Sequence, residues 1–282
     1  MSGPRSSRFR TPCCLRPLAK RPSSEGYEGW DEYAPFYDWE NARTLGRRDV
    51  PFWRHIALNA GGPVLELGCG TGRIALPLGR AGVPLVGIDR SEPMLARARR
   101  RVARTRVGRP VRLVRGDIRA LPFPGAAFSL VLAPYGVLQS LLRERDLAAT
   151  LAAVHGVLEP GGMFGVELVA DLPSWDEYRQ RVSLKGWRRR KGGTHVTLVE
   201  TVKQDRARHL TIFEQEFTER RGRHRTSRTF ALKFRTLSVP QMARRLAKAG
   251  FEVTATLGDY RGAPWDDRAE VWILLAKRSD RS

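Results

Sequence analysis

Residues 64–72 read Val64-Leu65-Glu66-Leu67-Gly68-Cys69-Gly70-Thr71-Gly72: an apolar run carrying one acid, then glycine at three alternate positions. The run Arg73 to Arg80 that follows has helical patterning. The segment predicts a strand, a tight turn and a helix. Glycine allows backbone to turn sharply and to come close to a bound molecule, where a Cβ would block either. The helix start adds unpaired N–H groups and the positive end of a dipole. A chain built round such a unit is expected to be an α/β protein that holds a ligand against the turn.

Two ligand classes compete for that turn. The frame Gly70-Thr71-Gly72-Arg73-Ile74-Ala75 satisfies the dinucleotide pattern G-x-G-x-x-G/A, whereas the frame from Gly68 fails because Arg73 occupies its third glycine. The frame from Glu66 is tighter: acid, apolar, Gly, any, Gly, any, Gly. It resembles the first motif of the class I S-adenosylmethionine (SAM) methyltransferases. SAM has no pyrophosphate; it presents an ammonium, a carboxylate, a sulfonium, a ribose and an adenine. An acid at the strand end suits the ammonium, and three glycines let the loop lie against methionine and ribose.

The pattern continues beyond the motif. A strand Val83–Ile88 ends in Asp89, at the spacing where a carboxylate accepts from both ribose hydroxyls, a feature common to both ligands. Ser91 reads as an N-cap, with Pro93 in the first turn of a helix running to about Arg106. A third strand, Val111–Arg115, ends in Gly116-Asp117-Ile118. A fourth, Phe128–Ala133, follows Leu121-Pro122-Phe123-Pro124. A helix over 143–158 and the turn Pro160-Gly161-Gly162 lead into a fifth strand, Met163–Leu168. The resemblance to class I methyltransferases thus extends over most of residues 64–168. It implies a cofactor set of Tyr37, Glu66, Gly68, Cys69, Gly70, Gly72, Asp89, Arg90, Met94, Asp117, Ile118 and Ala133. Within it Met94 flanks the adenine and Asp117 accepts from the adenine amino group. Each residue alone has a plainer reading: Asp89 and Asp117 as strand-end caps, Met94 as core, Cys69 as a small loop residue. Two acids after successive strands of one βα series favour the site.

Upstream, Trp30-Asp31-Glu32-Tyr33-Ala34-Pro35-Phe36-Tyr37-Asp38-Trp39 is dense in aromatics. Similar small-molecule methyltransferases carry a Tyr…Tyr-Asp element here, on a lid helix over the cofactor. Aromatic faces attract a sulfonium through cation–π contact. Tyr33 and Tyr37 are therefore site candidates, while Trp30, Phe36 and Trp39 are expected to dock the helix on the core.

After the fifth strand the pattern changes. Val196–Val202, Leu210–Phe217 and Thr229–Phe234 read as strands, punctuated by Lys191-Gly192-Gly193 and Arg221-Gly222-Arg223. These predict an inserted antiparallel sheet. A helix with a capping box, Ser238-Val239-Pro240-Gln241, closes at Gly250, and Phe251–Leu257 and Glu270–Ala276 read as two last strands. The resemblance implies a Rossmann-like seven-stranded sheet in order 3-2-1-4-5-7-6, strand 7 antiparallel, with helices on both faces. The expected organisation is a disordered basic tail (1–24) and a SAM-binding core with an N-terminal lid helix (25–171). An inserted β subdomain (172–236), the end of the core (237–278) and a short tail (279–282) follow.

The methyl acceptor is less legible. The loop Ala133-Pro134-Tyr135-Gly136-Val137-Leu138-Gln139 is expected to face the substrate, at the carboxyl ends of the strands. DNA and protein amine methyltransferases often read Asn/Asp-Pro-Pro-Tyr/Phe there; Ala133 and Tyr135 depart from that and argue against adenine N6 or glutamine methylation. No Pro-Cys pair supports 5-methylcytosine chemistry. Tyr33, Tyr135, Gln139, Glu167 and Asp171 are the candidates for substrate contact or proton transfer, with packing the plainer role for Tyr135. Methyl transfer relies mainly on alignment and exclusion of water, so a dedicated base is not required for a neutral amine.

Composition narrows the partners. The 282 residues suffice for one large α/β domain and an insertion, and no apolar run approaches a membrane span. Three cysteines, two of them Cys13-Cys14 in the basic tail, make no disulfide framework, and five scattered histidines suggest no metal. A cytoplasmic enzyme is expected. The net charge of +21 points towards nucleic acid or an anionic surface. Arginine far outnumbers lysine, however, as a GC-rich genome also produces on solvated faces. A small-molecule acceptor is favoured over RNA, with a non-catalytic SAM-fold binding protein as a further alternative. A homodimer through the inserted sheet is the expected assembly, if any.

Overall fold

A computed structural model of the chain describes residues 25–105, 111–169, 177–188 and 193–279. The basic tail 1–24, the candidate Asp171, Lys191-Gly192 of the expected turn and residues 280–282 lie outside the described residues. In chain order the elements are α1 (Trp30–Asn41), α2 (Val50–Asn59), β1 (Val64–Leu67), α3 (Ala75–Arg80), β2 (Leu85–Asp89) and α4 (Glu92–Ala103). Then come β3 (Val111–Arg115), β4 (Phe128–Ala133), α5 (Glu144–Val157) and β5 (Leu158–Val169). Next are β6 (Tyr178–Arg188), β7 (Thr194–Asp205), β8 (Leu210–Arg221) and β9 (His224–Arg235), and finally α6 (Val239–Lys248), β10 (Phe251–Leu257) and β11 (Val271–Arg278).

The larger sheet runs β3-β2-β1-β4-β5-β11-β10. Its first five strands are parallel, and β11 is antiparallel to both β5 and β10. This is the expected 3-2-1-4-5-7-6 order. Period-two alternation explains why its central strands are apolar throughout. On β4, Val131 and Ala133 face α5 and α6 through Leu147, Leu151, Val154, Met242 and Leu246. Leu130 and Leu132 face the opposite layer, formed by Phe52, Trp53 and Ala57 of α2 with Ala75 and Leu78 of α3. The order reverses between β1 and β4, which opens a crevice at the carboxyl ends of these two strands.

Local chemistry sets the helix starts. The Ser91 hydroxyl accepts from the Met94 N–H at 3.3 Å and caps α4. At α6 the capping box is complete: Gln241 N–H donates to Ser238 Oγ, and Ser238 N–H to Gln241 Oε1. The helix α2, which periodicity alone had not singled out, begins with Pro51 in its first turn.

The second sheet is antiparallel in the order β6-β7-β8-β9, one strand more than the patterning predicts. The extra strand β6 is mostly exposed and carries Arg179, Gln180, Arg181 and Gly186, so it shows no alternating apolar row. Helix α1 packs on the inner face of this sheet. Phe36 stacks on Phe217 with ring centroids 4.2 Å apart, among Val196, Leu198 and Leu232. Phe36 and Trp39 thus dock α1 on the inserted sheet rather than on the α/β core. Among the described residues no helix is long and apolar enough to cross a membrane.

Candidate active site

The turn after β1 forms the floor of a cavity of about 590 Å³. Gly70 lines it with φ +53°, and a Cβ built there would point into open space, its nearest contact 3.9 Å away. Gly68 also lines it, pressed so close to Val137 that a Cβ would lie 2.3 Å from that side chain. Gly72 does not line the cavity. Its φ of +77° closes the turn, its N–H donates to the Cys69 carbonyl, and a Cβ would strike Leu76. Its place in the implied cofactor set is therefore corrected to a backbone role.

Asp89, at the end of β2, accepts from Gly70 N–H through Oδ2 and from Ser91 N–H through Oδ1, each at 2.8 Å. One carboxylate so ties the glycine turn to the start of α4. A carboxylate has about four lone-pair sites, so acceptor capacity remains for a ribose at the cavity wall.

The methionine end of the cavity is charged. Glu66 is 2% exposed and its Oε2 has no partner. Burial pushes its pKa up to about 8, although Arg73 beside it pulls the other way. Arg73 also lines the cavity; it is paired with the buried Asp49 at 2.5 Å, and its Nε is unpartnered. An unpaired buried acceptor and an unpaired buried donor side by side match the ammonium and carboxylate of an α-amino acid. A pyrophosphate in the same place would suit Arg73 but would leave Glu66 facing a like charge. No local pattern marks Arg73 or Asp49 as site residues, since their pairing joins the residues just before α3 and α2.

At the adenine end, Met94 and Ile118 are apolar walls. Asp117 is engaged by its neighbours: Arg119 at 2.7 Å and Arg90 at 3.3 Å. The Arg119 hydrogen bonds hold its carboxyl below the usual range. Its oxygens reach an adenine amino group only by sharing with Arg119. Arg90 also lies over the ring of Tyr27, 3.8 Å from its centroid. Ala133 is buried in the core and does not line the cavity; the next residue, Pro134, does. Burial raises the Cys69 thiol well above its ordinary value, which leaves it a protonated, unreactive wall. The segment before α1 closes the top. Glu25 is held by Arg119 and Arg143, at 3.5 and 3.0 Å. Gly26 passes so close to the Ser140 carbonyl that no side chain fits.

A second cavity, of about 320 Å³, lies between α1 and the inner face of the inserted sheet. Trp30, Tyr37, Tyr135 and Phe234 line both cavities. Tyr135 is not a packing residue. It has φ +53°, rare for a side chain of its size, and remains 36% exposed. Its N–H donates to Glu167 Oε2 at 3.0 Å, and Arg73 lies over its ring at 5.4 Å. Partial desolvation by the concave surroundings raises its phenol pKa. Tyr33 is buried and sits edge-on to Tyr37, 5.6 Å between centroids.

Two other candidates prove to be positioning groups. Glu167 lines neither cavity; it is buried and also accepts from Trp53 Nε1 (3.3 Å) and Tyr260 Oη (2.7 Å), so it fixes the Tyr135 backbone. Gln139 lines the second cavity, but its amide is taken up by the Val169 backbone and the Arg235 carbonyl. Glu40, Glu200 and Gln215 line this cavity and are absent from the candidates read in the sequence. The signal for two of them is there. Glu200 stands in the inward row Val196, Leu198, Glu200, Val202, and Gln215 in the row Thr211, Phe213, Gln215, Phe217.

Comparison with known proteins agrees with this geometry. Residues 64–162 match the family model of a methyltransferase domain. The cypemycin N-terminal methyltransferase of a Streptomyces species is 27% identical over 77% of this chain and 84% of its own length. A demethylmenaquinone methyltransferase of Lactiplantibacillus plantarum is 36% identical over 47% of this chain and 57% of its own length. Against several such curated relatives the match spans about half of their length, falling to 41% for a sterol 24-C-methyltransferase of Gibberella zeae. Among solved structures, the CcbJ methyltransferase of Streptomyces caelestis superposes with a TM-score of 0.73 at 25% identity, covering 88% of this chain and 97% of that one. Residues 64–162 are thus a methyltransferase domain, of the class I kind whose cofactor is S-adenosylmethionine.

Proposed function

We propose that the protein transfers a methyl group from SAM to a nitrogen or oxygen nucleophile of a small molecule. The observation that carries this reading is the second cavity, which shares Trp30, Tyr37, Tyr135 and Phe234 with the cofactor cavity. An acceptor lodged there meets the cofactor across two tyrosine rings. SAM, when bound, supplies an electrophilic methyl group on a sulfonium. Glu66 and Arg73 take the charged methionine end, Gly68 and Gly70 give the backbone approach, and Asp89 takes the ribose. Tyr37 and Tyr135 then face the reacting centre, where their rings exclude water and favour positive charge. Glu167 holds Tyr135 in its left-handed conformation and so fixes that wall. Alignment of this kind is the main catalytic resource of a displacement reaction.

Several relatives and neighbours carry names that fit a small acceptor: the cypemycin enzyme acts on an amino terminus, and KedS8 of a Streptoalloteichus species is named a sugar N-methyltransferase. An RNA acceptor has less support. Glu40 and Glu200 line the second cavity, and like charges there oppose a phosphate backbone. The test is transfer of labelled methyl from SAM into pooled amines, alcohols, phenols and carboxylates, with bulk RNA alongside. Label in the small-molecule pool is expected; label in RNA alone would refute the reading.

A further inference from the structure

Resting on that reading, we propose that the second cavity selects a protonated amine: Glu40 and Gln215 bind the acceptor's N–H groups beside Glu200, and Glu40 takes its proton before the methyl arrives.

The inference begins with a carboxylate in an apolar row. Glu200 is 8% exposed and shares the inward face of β7 with Val196, Leu198 and Val202. Burying an ion there is costly unless it is hydrogen-bonded, and it is. The β7–β8 register sets Glu200 directly opposite Gln215. Gln215 Nε2 donates to Glu200 Oε2 at 2.8 Å and lies 3.5 Å from Glu40 Oε1, while Tyr178 and Ser183 of β6 donate to Glu200 Oε1. One amide therefore joins two carboxylates from different elements.

Between α1 and β8 what remains open is one-sided. Gln215 is 4% exposed and its Oε1 has no partner; Glu40 Oε2 is likewise buried and unpartnered, with the Tyr33 hydroxyl of its own helix beside that carboxylate. An amide oxygen and an ionised carboxylate both accept, so a molecule that satisfies them brings donors. A carboxylate pair in one cavity favours a donor that is also a cation. The remaining walls agree, since Trp30, Tyr33, Tyr37, Tyr135, Phe213 and Phe234 present aromatic rings that attract an ammonium.

The groups that share the cavity with Glu40 are mostly neutral or acidic. Tyr33 on its own helix, Tyr135 after β4, Glu200 on β7 and Gln215 on β8 act on it directly, and Tyr37, Tyr178 and Thr211 line the same cavity. The guanidinium of Arg235, at the end of β9, also lines the cavity; it pairs with Glu144 through Nη2, and its buried Nη1 has no partner. Burial, with Glu200 adding to it, raises the Glu40 pKa to about 7, so its carboxylate exchanges protons near neutrality.

The chemistry balances. An ammonium N–H bond breaks, the proton joins the Glu40 carboxylate, and the electron pair stays on nitrogen. A dry aromatic pocket favours this neutral pair over two ions. The freed pair forms the nitrogen–carbon bond as the carbon–sulfur bond breaks, its electrons returning to sulfur. The product leaves as an N-methylammonium ion and Glu40 releases its proton to solvent. Glu40 lies one helical turn from Tyr37, which borders both cavities, so an amine held by Glu40 sits on the side of the shared wall away from the cofactor.

The test compares matched probes on the protein saturated with S-adenosylhomocysteine: cyclohexylamine against cyclohexanol, and benzylamine against benzyl alcohol, by saturation-transfer NMR titration at pH 7.5. Each amine is expected to bind at least tenfold tighter than its alcohol. In Glu40→Gln that preference should fall to about threefold or less, with S-adenosylhomocysteine affinity unchanged. Equal binding within the pairs, no detectable amine binding, or a variant that keeps the tenfold preference overturns the proposal. The wild-type comparison decides by itself should Glu40→Gln not fold. Failure of S-adenosylhomocysteine to bind overturns the methyltransferase reading, and this one with it; binding without amine preference overturns this one alone.

Discussion

Glu66 carries a conflict that only a ligand resolves. Its raised pKa means that the folded, ligand-free protein prefers the neutral acid. The stability this group contributes is complete below its unfolded value of about 4.5 and is lost as pH rises through about 8. Glu66→Gln should therefore melt like the wild type at pH 4.5 and be more stable by a few kcal/mol at pH 9, read by scanning calorimetry of the ligand-free proteins. The same variant should bind S-adenosylhomocysteine about 10- to 100-fold more weakly, as loss of a charged hydrogen bond implies. A variant less stable than wild type at pH 9 would show that Glu66 is satisfied without ligand. At this scale the sequence shows Glu66, Gly68, Gly70 and Asp89 clearly, because turn chemistry is local. Arg73, Asp49 and Glu40 stay hidden, because their significance lies in partners from other elements: Arg73 with Asp49, and Glu40 with Gln215 175 residues away.

Helix α1 bridges the inserted sheet and the α/β core. Its aromatic face packs on β7, β8 and β9, while Asp38 accepts from Thr71 Oγ1 at 2.7 Å and from Arg101 at 3.1 Å. Phe36→Ala should remove about 3–5 kcal/mol of stability, because the stacked ring of Phe217 loses its partner and a cavity remains. Chemical denaturation measures this. Ser238→Ala, which opens the capping box of α6, should cost only about 1 kcal/mol and leave cofactor affinity intact. A large loss of cofactor affinity in Ser238→Ala would contradict the separation of α6 from the site. The elements legible in advance are those with a clean period, such as β4 and β7, or a side-chain cap, such as α4 and α6. The edge strand β6 has neither, and its place in the sheet comes from pairing with β7, which no local pattern encodes.

At the scale of the whole molecule, part of the high positive charge ties elements together. Arg101 ties α4 to α1 and to the Thr71 carbonyl, Arg99 pairs with Glu92, and Arg119 joins Asp117, Glu25 and Asp146. The order of the larger sheet is legible because parallel βα units and a late antiparallel pair admit few arrangements. The insertion is legible as a sheet but not as the wall of a cavity, since that depends on how α1 meets it. Titration calorimetry with SAM, S-adenosylhomocysteine and NAD tests the assignment of the Glu66–Gly72 cleft most directly. One-site binding of SAM and S-adenosylhomocysteine is expected, with proton release at pH 7 as Glu66 ionises, and no heat from NAD. Tight NAD binding without SAM binding would contradict it.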